Sequence, residues 1–216
     1  MILILYIGIV MKNSYLILFI LFISSLIVIS YFFFDRQVVW FLVRHHSRDL
    51  GLLKIFANSI TYVISIFVFI FYFYFLIKMI TKSVNSLDKS LLIVCNSIII
   101  GQFLKEVFKT IFGRYWAATF TCNNPSLISN HVYGFNWLKS GSAFASFPSG
   151  HATFIFSFSV SMFLIFPKLR WLWVLLAILI TVGQIGMYYH YVSDVLAGAL
   201  LGGLVGFFAV KYKINN

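Results

Sequence analysis

Two short stretches carry residue types that do chemistry. The first is Phe147-Pro148-Ser149-Gly150-His151, a turn that interrupts apolar text and runs directly into another apolar segment. A Pro-Ser-Gly turn entering a helix leaves several backbone N–H groups free at the helix's positive end, which is a ready anion site. The Ser149 hydroxyl can donate one more hydrogen bond, the Gly150 amide is unobstructed, and His151 in the first turn can hold or deliver a proton. The plain alternative is an ordinary helix N-cap with an incidental histidine. The second stretch holds His190 and Asp194, one helical turn apart on one face. A carboxylate beside an imidazole fixes its tautomer and leaves the other ring nitrogen free to attack or to accept a proton. Its alternative is a satisfied histidine at a membrane interface, with an Asp favoured by the helix dipole.

Basic residues stand near both stretches in the predicted topology. Lys105 and Lys109 are four apart and share a helix face, with Glu106 off that stripe; Arg114 follows, and Gln184 precedes His190 by six positions. Basic side chains and amides that bind an anion, one histidine that attacks and another that protonates a leaving oxygen are the parts that phosphomonoester hydrolysis requires. No carboxylate cluster or Cys/His spacing suggests a metal.

The elements that must position these groups are membrane helices. Of the 216 residues, 62% are hydrophobic and only 10% charged, and apolar runs of helix-spanning length recur. The sequence predicts an all-α, polytopic membrane protein with a single domain, 1–216, and six transmembrane helices near residues 15–34, 60–80, 90–112, 152–166, 171–189 and 195–210. Residues 37–57 mix Trp40, Phe41, Leu50 and Leu53 with Arg44, His45, His46, Arg48 and Lys54, which reads as an interfacial helix between spans one and two. The net charge of +11 falls at the ends of spans, where lipid headgroups or an anionic lipid are better partners than nucleic acid. Gly198, Gly202, Gly203 and Gly206 in the last span predict close helix approach. Cys95 lies in a span and Cys122 in a loop, so no disulfide is expected between them. No cleavable signal peptide is evident, and translation starts at Met1 or at Met11. Both sides carry equal numbers of Lys and Arg, but the side of the termini concentrates them in short loops, which places the termini in the cytoplasm and the polar clusters opposite. No internal repeat supports a transporter.

These residues resemble the type-2 phosphatidic acid phosphatase superfamily of membrane lipid phosphatases, whose members include lipid A, undecaprenyl pyrophosphate and phosphatidylglycerophosphate phosphatases. The resemblance covers about residues 105–203, carried by Phe147-Pro148-Ser149-Gly150-His151-Ala152-Thr153 and by His190-Tyr191-Val192-Ser193-Asp194-Val195-Leu196-Ala197-Gly198. It implies His190 as the nucleophile of a phosphohistidine intermediate, Asp194 as its partner and His151 as the general acid. Ser149, Gly150, Lys109 and Arg114 would hold the phosphoryl group, with Lys105 the other candidate lysine. Two positions depart from the family pattern. Trp116-Ala117 stands where Arg-Pro is usual, and Gly183-Gln184 where Ser-Arg is usual. Gln184 retains hydrogen-bonding capacity without the charge or the fork of an arginine. The implied activity is metal-independent hydrolysis of a lipid phosphomonoester or pyrophosphate at the outer face of an inner membrane, with no cofactor and no obligate protein partner. The alternative is a weakened or inactive relative that binds phospholipid or scaffolds a membrane complex.

Overall fold

The computed structural model describes residues 13–120 and 123–215. The choice between Met1 and Met11 and the expectation for Cys122 lie outside those residues. Helix α1 (Asn13–Ile29) passes through a π-helical turn, Ser30–Phe34, straight into α2 (Asp35–Arg44). His46, with φ of 50°, and a 3-10 turn, Ser47–Asp49, then break the chain before α3 (Gly51–Ile80). The remaining long helices are α4 (Ser86–Phe112), α5 (Gly150–Ile165), α6 (Arg170–Gly186) and α7 (Val192–Asn215).

Among the described residues, five helical stretches are long and apolar enough to cross a membrane: Ser14–Arg44, Gly51–Ile80, Ser86–Phe112, Pro167–Gly186 and Val192–Tyr212. The fourth expected span, α5, is apolar but only 16 residues long, short of the ~20 that a bilayer helix needs. It is the centre of the bundle, packed against α4, α6 and α7. The separate interfacial helix expected over residues 37–57 is not formed. Its first part continues from α1 and its last part opens α3. Asp35 and Val39 of α2 are buried against protein, Val39 in a cluster with Ala117, Leu127 and Tyr191.

Side-chain size explains the tight centre. Thr153, Ser157 and Ser161 of α5 face Gly198, Gly202 and Gly206 of α7, and a Cβ at Gly198 would lie 2.5 Å from the Ser149 carbonyl oxygen. A Cβ at Gly202 would run into the Thr153 carbonyl. Lipid tails are as apolar as leucine, so helices join in a membrane through close packing and polar contacts rather than through the hydrophobic effect. The buried serines supply such contacts: Ser97 and Ser161 hydroxyls are 2.9 Å apart between α4 and α5. Ile64, Val94, Ile98, Ile155, Phe158, Trp173 and Ile180 fill the space around them.

The turn between α3 and α4 is closed by a capping box. Asn85 and Asp88 exchange side-chain-to-backbone bonds of 2.9 Å, satisfying two otherwise orphaned N–H groups. At the other end of α4, Gly113 adopts φ of +52°, where a Cβ would strike the Asn136 carbonyl. The segment 113–147 folds back over this end of the bundle, tied by isolated bridges from Arg114 to Phe135 and to Ala145 and from Trp116 to Ser126. The end of α4, the start of α5 and the α6–α7 turn therefore meet under one loop.

Candidate active site

A cavity of about 650 Å³ opens where these elements meet. Lys105 and Lys109 of α4, Gly150 and His151 of α5, Gln184 of α6 and His190 of the α6–α7 turn all line it. The helical register explains the lysines: four residues apart, they project from one face, as their spacing predicts. Lys105 crosses directly over Gly150, where a Cβ would come within 3.1 Å of its Cδ. Its ammonium donates to Gln102 Oε1 at 3.0 Å and pairs with Glu106 at 2.5 Å, while Gln102 donates to the Gly150 carbonyl at 3.1 Å. Lys109 makes no ion pair among the described residues and lies 5.8 Å from the centre of the Trp116 ring.

His190 is only 5% exposed. Its Nδ1 lies 3.4 Å from Asp194 Oδ2, and the Trp116 ring sits 5.1 Å from its imidazole. Burial pushes the His190 imidazole below its ordinary value of 6.5, while the hydrogen bond and charge of Asp194 pull the other way. Asp194 has no exposure at all. The same Oδ2 accepts from Ser146 Oγ at 2.6 Å and from the Tyr191 N–H at 3.1 Å, and Oδ1 accepts from Arg114. A carboxylate held by this many donors cannot rotate, so the imidazole beside it has one preferred pose.

Three expected roles change in the structure. Arg114, expected to bind phosphate, is fully buried and does not line the cavity. One terminal nitrogen reaches Asp194 and Ser193 Oγ, the latter at 2.7 Å, and the other reaches Asp35 Oδ2 at 2.7 Å and Tyr133 Oη at 3.0 Å. Burial alone would weaken its charge, but Asp194 and Asp35 hold its pKa above the ordinary value. Ser149 is also buried; its hydroxyl accepts from the Ala152 N–H at 3.4 Å and its N–H donates to the Asp194 carbonyl at 3.0 Å. Its side chain is a helix cap, and its backbone fastens α5 to α7. Gln184 lines the cavity, but its amide nitrogen donates one hydrogen bond away from it, to the Ala57 carbonyl at 2.7 Å, and its Oε1 is buried with no partner among the described residues.

The structure also brings in residues that sequence reasoning passed over. Asp35 directly follows the first predicted span, 15–34, and is completely buried beside Arg114; a carboxylate closing an apolar run is a signal in itself. Tyr133 and Ser146 join it from the long loop, with Tyr133 Oη 3.1 Å from Asp35 Oδ2. Trp116, Phe120, Ser142 and Ala145 of the same loop complete the cavity. No group of three or more His, Cys, Asp or Glu side chains is placed to hold a metal ion among the described residues.

Chemically, the cavity offers a fixed, neutral imidazole, a second histidine, two ammonium groups and an open backbone turn. A family model described as the PAP2 superfamily matches residues 90–216. The chain is 30% identical over 110 residues to the bacitracin transport permease protein BcrC of Bacillus licheniformis, covering 51% of this chain and 49% of that protein. It is 38% identical over 76 residues to a lipid A 1-phosphatase of Rhizobium etli, 34% of this chain and 33% of the relative. It is 35% identical over 71 residues to an undecaprenyl-diphosphatase of Sulfolobus acidocaldarius, 32% of this chain and 34% of the relative. The chain thus spans half or less of the length of these curated relatives. A solved transmembrane PAP2-type phosphatidylglycerolphosphate phosphatase from Bacillus subtilis aligns over 99% of this chain and 92% of its own, with 17% identity and a TM-score of 0.41.

Proposed function

This chain belongs to the PAP2 superfamily, and from that premise we propose that it is an integral membrane lipid phosphatase that hydrolyses a lipid phosphomonoester or pyrophosphate through a phosphohistidine. The observation that carries the reading is one cavity lined by Lys105, Lys109, His151 and His190, with Asp194 locked behind His190. Nε2 of His190 attacks phosphorus, the bond from phosphorus to the lipid oxygen breaks, and His151 delivers its proton to that oxygen. Asp194 offsets the positive charge that the ring gains. Water then attacks phosphorus and gives a proton to His151, and the phosphorus–nitrogen bond breaks to release phosphate. Lys109, Lys105 and the Gly150 amide bind the phosphoryl oxygens.

In this reading α5 is the sixth crossing, the termini are cytoplasmic, and the cavity faces the periplasm or the outside of an inner membrane. The charge distribution among the short loops supports that orientation. Segment 113–147, which supplies Trp116, Phe120, Ser142 and Ala145 to the wall, selects among lipids.

A second reading, a catalytically silent relative that binds phospholipid or scaffolds a membrane complex, is favoured by one observation: neither Trp116 nor Gln184 brings a charged donor to the cavity. Removing one such donor costs about 3 kcal/mol of transition-state stabilisation in other enzymes. The discriminating experiment assays the purified chain with chelator present on phosphatidate, phosphatidylglycerol phosphate, a lipid A phosphate and a polyprenyl pyrophosphate. The phosphatase reading expects phosphate from at least one lipid, falling to background in His190→Ala. Lipid binding without turnover on the whole panel contradicts it and supports the second reading.

A further inference from the structure

The mechanism above uses Asp194 but leaves Asp35 unexplained. Asp35 sits at the start of α2, far in sequence from the rest of the site, and has no exposed surface. Both of its oxygens are engaged. Oδ1 accepts from the Ser193 N–H at 2.9 Å; Oδ2 is 2.7 Å from an Arg114 terminal nitrogen, 2.5 Å from Ser193 Oγ and 3.1 Å from Tyr133 Oη. Each oxygen thus faces an N–H that can only donate, the arrangement that suits an ionised carboxylate accepting at both oxygens.

Two consequences follow, one geometric and one electrostatic. Ser193 immediately precedes Asp194, so Asp35 clamps the first turn of α7 through both the backbone and the side chain of the neighbouring residue. Arg114 is shared: one terminal nitrogen serves Asp194 and the other serves Asp35. With Asp194 alone, the guanidinium would cancel the carboxylate that faces His190. With Asp35 present, the buried trio carries a net negative charge, and that charge lies beside the ring that becomes positive when its other nitrogen bonds to phosphorus. In a dry site the effect is large.

We propose that Asp35 is a positioning residue of the reaction, which clamps Ser193 and divides the charge of Arg114 so that Asp194 keeps both its aim and its charge for His190. The proposal rests on the phosphatase reading of the same site. It makes α1 and α2, which lie outside the residues matched by the family model, part of the working machinery.

The test uses the full chain in detergent, wild type and Asp35→Asn, with 15N-labelled histidine. Turnover is resolved into kcat and KM on the lipid that the panel identifies, and thermal unfolding checks the fold. For Asp35→Asn the expected result is a fall in kcat of about 10–100-fold, the size found when a partner that orients a reacting group's own ligand is lost, with KM within about twofold. The His190 nitrogen signals should pass from a single Nδ1-protonated tautomer to a mixture. A folded Asp35→Asn protein with wild-type kcat and an unchanged His190 spectrum overturns the proposal, as does a change in KM alone. If Asp35→Asn does not fold, Ser193→Ala removes one of the links to Asp35 and should lower kcat about threefold to tenfold at unchanged KM; an unchanged kcat overturns the proposal. A wild-type protein that turns over no lipid removes the phosphatase reading, while the His190 spectra still decide whether Asp35 fixes the ring.

Discussion

His190 and the phosphate-facing wall belong to one cavity but are built in opposite ways. Behind His190, Asp194 is held by Ser146, Tyr191 and Arg114, and Arg114 is held in turn by Asp35, Ser193 and Tyr133. All of these groups but the half-buried Tyr133 are buried. Facing the substrate there are two lysines, one paired with Glu106 at 2.5 Å, an aromatic ring at Trp116, and a glutamine whose nitrogen is turned toward Ala57. His190 is positioned by a dense network of hydrogen bonds, whereas the opposite wall carries few and adjustable charges. Long, flexible ammonium side chains fit phosphate as point charges rather than as a fixed fork. The difference teaches that Arg114, which the family resemblance implied as a phosphate ligand, is engaged on the His190 side of the cavity, where it serves a carboxylate pair.

Three perturbations break or sharpen that contrast. The largest is on the sparse wall: with so few cations there, Lys109→Ala should lower kcat/KM about 100-fold, and Lys105→Ala about tenfold because Glu106 already spends part of its charge. Steady-state kinetics on one lipid phosphate checks this, and equal small losses in both variants would mean that the wall does not bind the anion. Next is Gln184→Arg, which adds a charged donor on the cavity side of α6. It should raise kcat/KM about tenfold in protein whose unfolding temperature is preserved; no gain in such a protein would show that the wall is not short of charge. The smallest concerns protonation. The attacking imidazole must be neutral, and burial lowers the pKa of His190 from 6.5. The neutral form therefore persists as pH falls through 6.5, and the acidic limb of kcat/KM, which reports the free enzyme, should lie below pH 6.5. A limb at or above that value would mean that the charge of Asp194, rather than burial, governs the ring.

Local pattern made much of the site legible. Lys105 and Lys109 stand at helical spacing on α4, so their shared face follows from the period of 3.6, and His151 follows a turn that must start a helix; His190 lies instead in the turn before α7, from which its Nδ1 reaches Asp194 Oδ2 at 3.4 Å. Gly198 and Gly202 were readable as close-packing positions because little else lets two backbones meet inside a membrane. What spacing could not reveal were contacts across the chain. Arg114 and Asp35 are 79 positions apart, and Val39 is buried in a cluster with Ala117 and Leu127 of the long loop. The Gln184 amide could face either way on sequence grounds; the Ala57 carbonyl decides it. The apolar composition of α5 marks it as a helix for the membrane, but its 16-residue length and the small side chains facing α7, which set its place at the centre, emerge only in the fold.

The central claim is that His190 forms a covalent bond to phosphorus, and the most direct measurement is to trap it. Wild-type protein mixed with its lipid substrate and quenched within milliseconds in alkali, which preserves phosphoramidates, is digested and examined by mass spectrometry. The account predicts a phosphoryl group on the peptide containing His190, absent from His190→Ala. Turnover with no phosphate on His190, or with the phosphoryl group on His151 instead, would contradict it.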